Sequence, residues 1–306
     1  MPLDPVNTAL SAAEFIATLR GLWCRLGLTL VLWSIATASG AFQSAAPALT
    51  WEQVRPGLRY ARQDIAIEGT EAIHRLHWLQ FELATPDLYL SLTPQACAGL
   101  LMTTLDTTSV VASLNASFFT KDFFVRGHTV SQGTLWTGNL RTAESPLVAC
   151  TRERTCQVIH QPTSTPGADW YNAASGVHSL VQSGQPRTGQ DDAQCGSFCT
   201  TPHPRSAMGL DTTGKTVWWV AAEGRQKAVA GLPLARLARL MAAMGVVDAI
   251  NLDGGGSTAL HVDGVARTQR PDNEPQARRI ANAWVISAQP ELDWHPLCSL
   301  LLKAPP

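Results

Sequence analysis

The chain has 306 residues, 45% of them hydrophobic and 15% charged, which is a globular composition with material for one large domain or two ordinary ones, not a disordered chain. Lys plus Arg number 23 and Asp plus Glu number 24, for a formal net charge of -1. That balance argues against a nucleic-acid binder, which carries a basic excess.

The first informative segment is the N-terminus. Arg20 and Arg25 precede an apolar run over 26–42, with small residues such as Ala36, Ala38 and Gly40 at its exit. A basic flank, a short apolar stretch and a small-residue exit predict a secretory signal peptide over residues 1–40. The run falls short of the ~20 apolar residues of a spanning helix. The expected localisation is therefore export, to the periplasm or the outside, with no membrane span after cleavage. Cys24 would leave with the signal. Cys97, Cys150, Cys156, Cys195, Cys199 and Cys298 remain. An even count in an exported chain predicts disulfides. Cys150–Cys156 and Cys195–Cys199 are the easiest local pairs. The spacing of "CGSFC" is too long for a thioredoxin-like site, so a structural bridge is the better reading.

Residues 41–69 read as a linker and N-terminal strand region, and 51–92 as β-rich, with partial alternation in "LHWLQFEL". "VVASLNASFF" (110–119) predicts a buried strand ending at Asn115. Residues 120–205 predict short strands and long loops. The stretch 206–224 predicts a hairpin turning at "DTTGK". In "GLPLARLARLMAAMG" (231–245), Leu234, Leu237, Ala238, Met241 and Met244 share one helical face. Pro233 suits the first turn of that helix and Gly245 its C′ cap. "VVDAINL" (246–252) reads as a strand broken by "DGGGST". "ALHV" resumes it, "DG" turns it back, and "RRIANAWVI" (278–286) closes the domain. The order predicts an α+β fold with a mixed, mainly antiparallel sheet, few helices and a single catalytic domain. Residues 289–306 form a C-terminal tail.

The chemistry candidates begin with "NLDGGGSTAL". Glycines let a ligand approach the backbone closely, and successive N–H groups in such a turn can form an anion nest. Asp253 at its mouth could be an acid, a base or a metal ligand. A Gly-rich turn between two strands explains the segment equally well. No Lys follows, so it is not a P-loop. In "HPRSAMG", Arg205 offers a bidentate contact to phosphate or carboxylate, and His203 between two prolines reads as structural. Asn115, Glu223 with Arg225, and Arg279 with Asn282 complete the candidates, each also explicable as an ordinary turn or strand residue.

Taken together and in order, "NASFF", "HPRSAMGLD", "EGRQ", "NLDGGGSTAL" and "RRIANAWVI" resemble the phosphodiester glycosidase family, over roughly residues 70–288 and most densely over 203–286. The resemblance implies a hydrolase that cleaves a sugar-1-phosphodiester. It implies catalytic roles for Asp253, Arg205 and Asn115, and substrate contacts from Gly254, Gly255, Gly256, Ser257, Thr258, Glu223, Arg279 and Asn282. Two positions depart from the family pattern: Ala116, where Gly is common, and Glu223 of Glu223-Gly224-Arg225, where Asp is common. No counterpart is expected for 140–200, read as a lid or elaboration. No cofactor is implied, although a divalent cation at Asp253 stays open. A phosphodiesterase breaking the P–O bond and a non-catalytic envelope-glycan binder are the alternatives. The expected partner is a sugar phosphodiester or envelope polysaccharide.

Overall fold

The computed structural model describes residues 49–140 and 145–299. The signal peptide expected over 1–40 and the end of the tail lie outside the described residues. No helix among the described residues is long and apolar enough to cross a membrane.

The main sheet has eight strands in the order Glu52–Arg55, Leu58–Ala66, Ile73–Glu82, Thr216–Ala222, Arg205–Leu210, Asp248–Leu252, Ser179–Gln182 and Gln185–Pro186. A five-stranded sheet runs Val265–Ala266, Leu260–Val262, Val110–Asn115, Ala283–Ser287, Tyr89–Leu92. Another runs Thr134–Leu135, Thr129–Ser131, Asn172–Ser175, Leu147–Cys150, Cys156–Ile159. Neighbouring strands pair antiparallel throughout, as in the hairpin Arg205–Leu210 with Thr216–Ala222. The α+β, mainly antiparallel expectation holds.

Alternation along the strands decides the layers. Leu79, Phe81, Met208, Trp219 and Ile250 leave one face of the main sheet and pack on Leu114, Leu260, Trp284 and Ile286 of the first five-stranded sheet. The other face carries Trp78, Ala207, Val220 and Ala249, covered by the helix Leu234–Ala243 through Leu234, Leu237, Ala238 and Met241. Both faces are therefore dry; the strand Arg205–Leu210 is buried along its whole length and Asp248–Leu252 at every residue after Asp248. The helix starts after Pro233, which sits in extended conformation just outside it. Asp192 reaches across to accept from the N–H of Ala235 at 2.8 Å, satisfying a donor the first turn leaves open. Gly245, at φ +88°, ends the helix as expected.

Three differences from the sequence reading have local causes. The last strand is Ala283–Ser287 rather than 278–286. Ile280 makes only an isolated bridge to Leu100, and the Asn282 side chain bonds to Ser117, a competitor of ladder pairing. The turn-rich stretch holds two unexpected short helices, Gly189–Cys195 and Ser197–Thr200, the first started by a Thr188–Asp191 capping box. Finally, that stretch is not a detachable lid, since Ser179–Gln182 pairs with Asp248–Leu252 inside the main sheet.

The disulfides are Cys150–Cys156, Cys195–Cys199 and Cys97–Cys298. The first two are the expected local pairs. The third ties the helix Trp294–Ser299 to the turn Gln95–Cys97. Disulfides of this number fit an exported chain.

Because Leu237 is 0% exposed between helix and sheet, Leu237→Ala should lower stability by about 2–5 kcal/mol, read as a drop in the urea midpoint with an unchanged m-value.

Candidate active site

The strand Asp248–Leu252 delivers Asp253 to its end, half-buried. The Asp253 backbone is gripped from both sides. Its N–H donates to the Ala116 carbonyl at 2.9 Å, and Asn115 Nδ2 donates to its carbonyl at 2.6 Å. Asn115 Oδ1 accepts from Ser206 Oγ at 2.6 Å and from the Ala259 N–H at 3.1 Å. Asn282 Oδ1 accepts from the Ser117 N–H at 2.8 Å. Asn115 and Asn282 are 0% and 1% exposed. Both are buried clamps: Asn115 holds Asp253, and Asn282 holds Ser117.

Two glycines explain the loop. Gly255 has φ +62°, a region costly to other residues. A methyl on Gly254 would stand 2.6 Å from the Pro204 carbonyl oxygen. The loop is thus packed hard against the start of strand Arg205–Leu210. Most of the N–H groups that an anion nest would offer are turned to acceptors of the chain itself. The N–H of Gly254 donates to Asp253 Oδ1, that of Gly255 to Pro204, that of Ser257 to Gly254 and that of Thr258 to Gly255.

Positive charge comes from side chains instead. Arg225 Nη1 lies 3.2 Å from where a Gly255 Cβ would be, and the Glu274–Arg278 ion pair lies against Gly256. Arg225 Nη2 donates to His203 Nδ1 at 3.0 Å. Burial, then Arg205 and Arg225, hold His203 below its usual value, which keeps that nitrogen an acceptor. Arg225 is a non-glycine residue at φ +56°. Its carbonyl accepts from the Asp272 N–H at 3.0 Å, and the Asp272 carboxylate accepts from the Lys227 N–H at 2.9 Å. Backbone strain held this way clusters at functional sites.

Arg205 is 2% exposed. Its Nε donates to Leu232 O at 2.9 Å, and its Nη2 to Phe198 O at 2.6 Å and Thr201 O at 3.2 Å. Those bonds occupy the edge that a bidentate contact would use, so the expected fork to phosphate does not form there. Only Nη1 has no acceptor among the described residues. Burial lowers the guanidinium pKa to about 10, so it stays cationic at neutral pH. Of the Arg278-Arg279 pair, Arg278 borders the loop. Arg279 turns away to Gly99 O at 2.9 Å.

Glu223 is also occupied. Its Oε1 accepts from His77 Nε2 at 2.8 Å and the Gln269 N–H at 3.0 Å, and its Oε2 from Gln226 Nε2 at 3.1 Å. Burial alone would raise this carboxyl, but those donors outweigh it and hold it below the usual range. It is a braced structural anion behind the wall that Gln269 forms. Asp253 is the opposite case. Burial, the largest cause, pushes it from 3.8 up to about 6, against the Ser257 hydroxyl, the Gly254 N–H and the Arg278 cation. The Ser257 hydroxyl leans toward it without reaching hydrogen-bond geometry. Among the described residues no cluster of acidic, imidazole or thiol donors surrounds Asp253 that would hold a divalent cation. The one such cluster is His178 with Cys195 and Cys199, whose sulfurs are bonded to each other.

A cleft of about 590 Å³ adjoins the loop, lined by 256–259, by His261, by Met102 and Thr103, and by 268–272, Glu274 and Arg278.

A family model described as phosphodiester glycosidase matches residues 108–287. The chain belongs to the phosphodiester glycosidase family. It is a hydrolase of that type. The match begins later than the expected residue 70, and it runs through 140–200, where no counterpart was expected. The catalytic domain of zebrafish N-acetylglucosamine-1-phosphodiester alpha-N-acetylglucosaminidase, auto-inhibited by its pro-peptide, has the same fold, with TM-score 0.61 and 20% identity over 78% of this chain and 86% of that one. A hypothetical protein from Synechocystis gives 0.58 and 15% over 80% of this chain and 64% of that one. A putative exported protein from Burkholderia pseudomallei K96243 gives 0.50 and 15% over 70% and 74%. No curated protein sequence matches the chain.

Arg225→Gly separates strain from charge. It should leave stability equal or raise it by about 1 kcal/mol, while lowering turnover roughly 10²–10³-fold by removing a cation beside the loop. Thermal unfolding and kinetics on one preparation check both.

Proposed function

We propose that the protein hydrolyses a sugar-1-phosphodiester of the N-acetylglucosamine-1-phosphodiester kind and releases the sugar. Asp253 carries this reading: a carboxyl raised to about 6 by burial, with the cations of Arg225 and Arg278 beside its loop. Fully paired carboxylates such as Glu223 have no capacity left for chemistry; Asp253 has.

In the reaction the bond from the sugar C1 to the bridging oxygen breaks, and its electron pair leaves with the phosphate. A phosphate monoester is a good leaving group, so strong acid assistance is not required. Arg225, Arg278 and the Nη1 of Arg205 oppose the negative charge that grows on it. Ionised Asp253 faces the positive charge that grows at C1. Water then adds to C1 and gives up a proton. Glu274, paired with Arg278 against Gly256, supplies the second carboxylate. Asn115 acts by positioning Asp253 and Asn282 by holding Ser117, and Ser257 and Thr258 meet the substrate from the loop. Residues 1–40 are the export signal, 70–288 the catalytic domain, and the mature protein works in the periplasm or outside the cell. A sugar-phosphate polymer of the envelope suits that location.

The test is sugar release from an N-acetylglucosamine-α-1-phosphodiester in heavy-oxygen water. Label in the sugar supports C1–O cleavage. Label in the phosphate would move the reaction to the P–O bond. Asp253→Asn should lose activity by roughly 10²–10⁴-fold. Since the ionised form acts, kcat/KM should rise as pH climbs through about 6.

The same shift has a consequence for stability. Folding raises the Asp253 pKa from 3.8 to about 6, so the folded state holds this proton more tightly than the unfolded chain. That stabilisation is full below the unfolded value and is lost as pH rises through the folded one. Asp253→Asn should therefore be more stable than wild type by roughly 1–3 kcal/mol at about pH 8, with the gap closing near about pH 4. Urea unfolding at the two pH values reads it.

A further inference from the structure

The cleft beside the glycine loop contains His261, which the mechanism above does not use, and the hydroxyls of Ser257 and Thr258, for which it names no substrate group. Along the strand Leu260–Val262, Leu260 and Val262 enter the central core. Alternation puts His261 on the other face, in the wall of the cleft with Met102 and Thr103. Its side chain is 8% exposed. Asp106, at the end of the turn Met102–Leu105, takes its Nδ1 with both oxygens, at 2.8 and 3.1 Å. A carboxylate in that position fixes the tautomer and the ring orientation. It leaves Nε2 as the atom free to meet a ligand, and among the described residues Nε2 has no partner.

Two hydroxyls in the same wall are in the same condition. Ser257 and Thr258 are 2% and 6% exposed, and Ser257 Oγ and Thr258 Oγ1 are buried without a hydrogen-bond partner. Native structures leave few such groups unsatisfied, and each calls for an explanation. The charged side chains of the cleft do have partners. Arg270 donates to Pro275 O, Arg278 pairs with Glu274, and Asp272 accepts from Lys227 N–H. The unmet capacity is therefore that of neutral hydroxyl-type hydrogen bonding, not of a second anion site. The volume, about 590 Å³, lies in the range of small-molecule sites.

We propose that His261, oriented by Asp106, and the hydroxyls of Ser257 and Thr258 form a subsite that binds the hydroxyl groups of the substrate's saccharide. His261 is its specificity-determining residue. With Nδ1–H held by Asp106, Nε2 accepts a hydroxyl proton, and the two rotatable hydroxyls donate or accept as the sugar requires. This rests on the reading that a sugar-1-phosphodiester occupies the cleft, and it names how the sugar half is recognised. A site built to hydrogen-bond substrate hydroxyls discriminates strongly, because an analogue lacking them leaves buried polar groups unpaired.

The experiment uses the full chain and the methyl α-glycosides of N-acetylglucosamine, glucose, galactose and mannose as probes. Binding is followed by calorimetry and by the imidazole nitrogen resonances of His261. The expected result is that at least one glycoside binds and shifts the Nε2 resonance. His261→Leu should weaken that binding about tenfold or more, and His261→Gln, which returns a hydrogen-bonding head to the Nε2 position, should recover most of it. Inorganic phosphate binding should stay within about twofold in both variants. Asp106→Ala should weaken glycoside binding with the His261 ring intact. Circular dichroism checks that the variants are folded. The proposal is overturned if no glycoside binds, if one binds without moving the His261 signal, or if His261→Leu binds it as wild type does. Glycoside binding through His261 without turnover of a phosphodiester would remove the reaction and keep the subsite. Turnover with an unchanged KM in His261→Leu would do the reverse.

Discussion

A single buried carboxamide ties the two sheets together where the chemistry sits. Asn115 ends a strand of the five-stranded sheet. It bonds Ser206 and Asp253 of the main sheet and its exit loop, and Ala259 beyond that loop. Between apolar layers a partner for such a group is worth more than in water, and its absence is correspondingly costly. Register between the sheets follows from it, and so does the position of Asp253, whose N–H is held by the next carbonyl along, Ala116. Asn282, one strand over, fixes Ser117 within the same sheet. The carboxylate is thus placed by the Asn115 side chain and the Ala116 carbonyl, from a segment distant in sequence, which is what a preorganised site requires.

The loop around it works by exclusion as much as by contact. The N–H groups of Gly254, Gly255, Ser257 and Thr258 are consumed in the turn itself and by Pro204. Its glycines allow Arg225 and the Glu274–Arg278 pair to come close. The Arg278 cation does not suffice to keep Asp253 at an ordinary pKa, because burial outweighs it. The environment resembles a carboxyl held in reserve near neutrality, in contrast to Glu223, whose three donors fix it as an anion. Two carboxylates at the ends of strands on either side of Arg205–Leu210 are so divided between chemistry and structure.

The polar, cysteine-containing stretch before Arg205 supports the same centre. The Cys195–Cys199 bridge closes the turn that carries Phe198. The Phe198 and Thr201 carbonyls receive the Arg205 guanidinium, which also stands over the Phe198 ring. His178 contacts both Cys195 and Phe198. An Arg buried with carbonyl acceptors anchors a loop to a strand. Here that loop neighbours Pro204, on which the glycine turn rests.

Periodicity and turn chemistry alone determined much of this protein. The helix over Leu234–Ala243, the hairpin after Arg205, the strand ending at Asn115 and the break at Asp253 were legible because each is a local pattern of burial with a local stop signal. The two short cysteine pairs were legible for the same reason. The capping box at Thr188 was also present in the sequence, yet it opens a helix too short to show a periodic face. What tertiary structure alone decided was which polar residues meet which. Arg278 rather than Arg279 borders the loop, Arg205 bonds carbonyls, Glu223 is braced by His77 from a strand 146 residues away, and His261 meets Asp106 across 155 residues. Spacing in the chain carries no information about such pairings. They are set by how the sheets stack, and that depends on the summed packing of the whole core rather than on any segment of it.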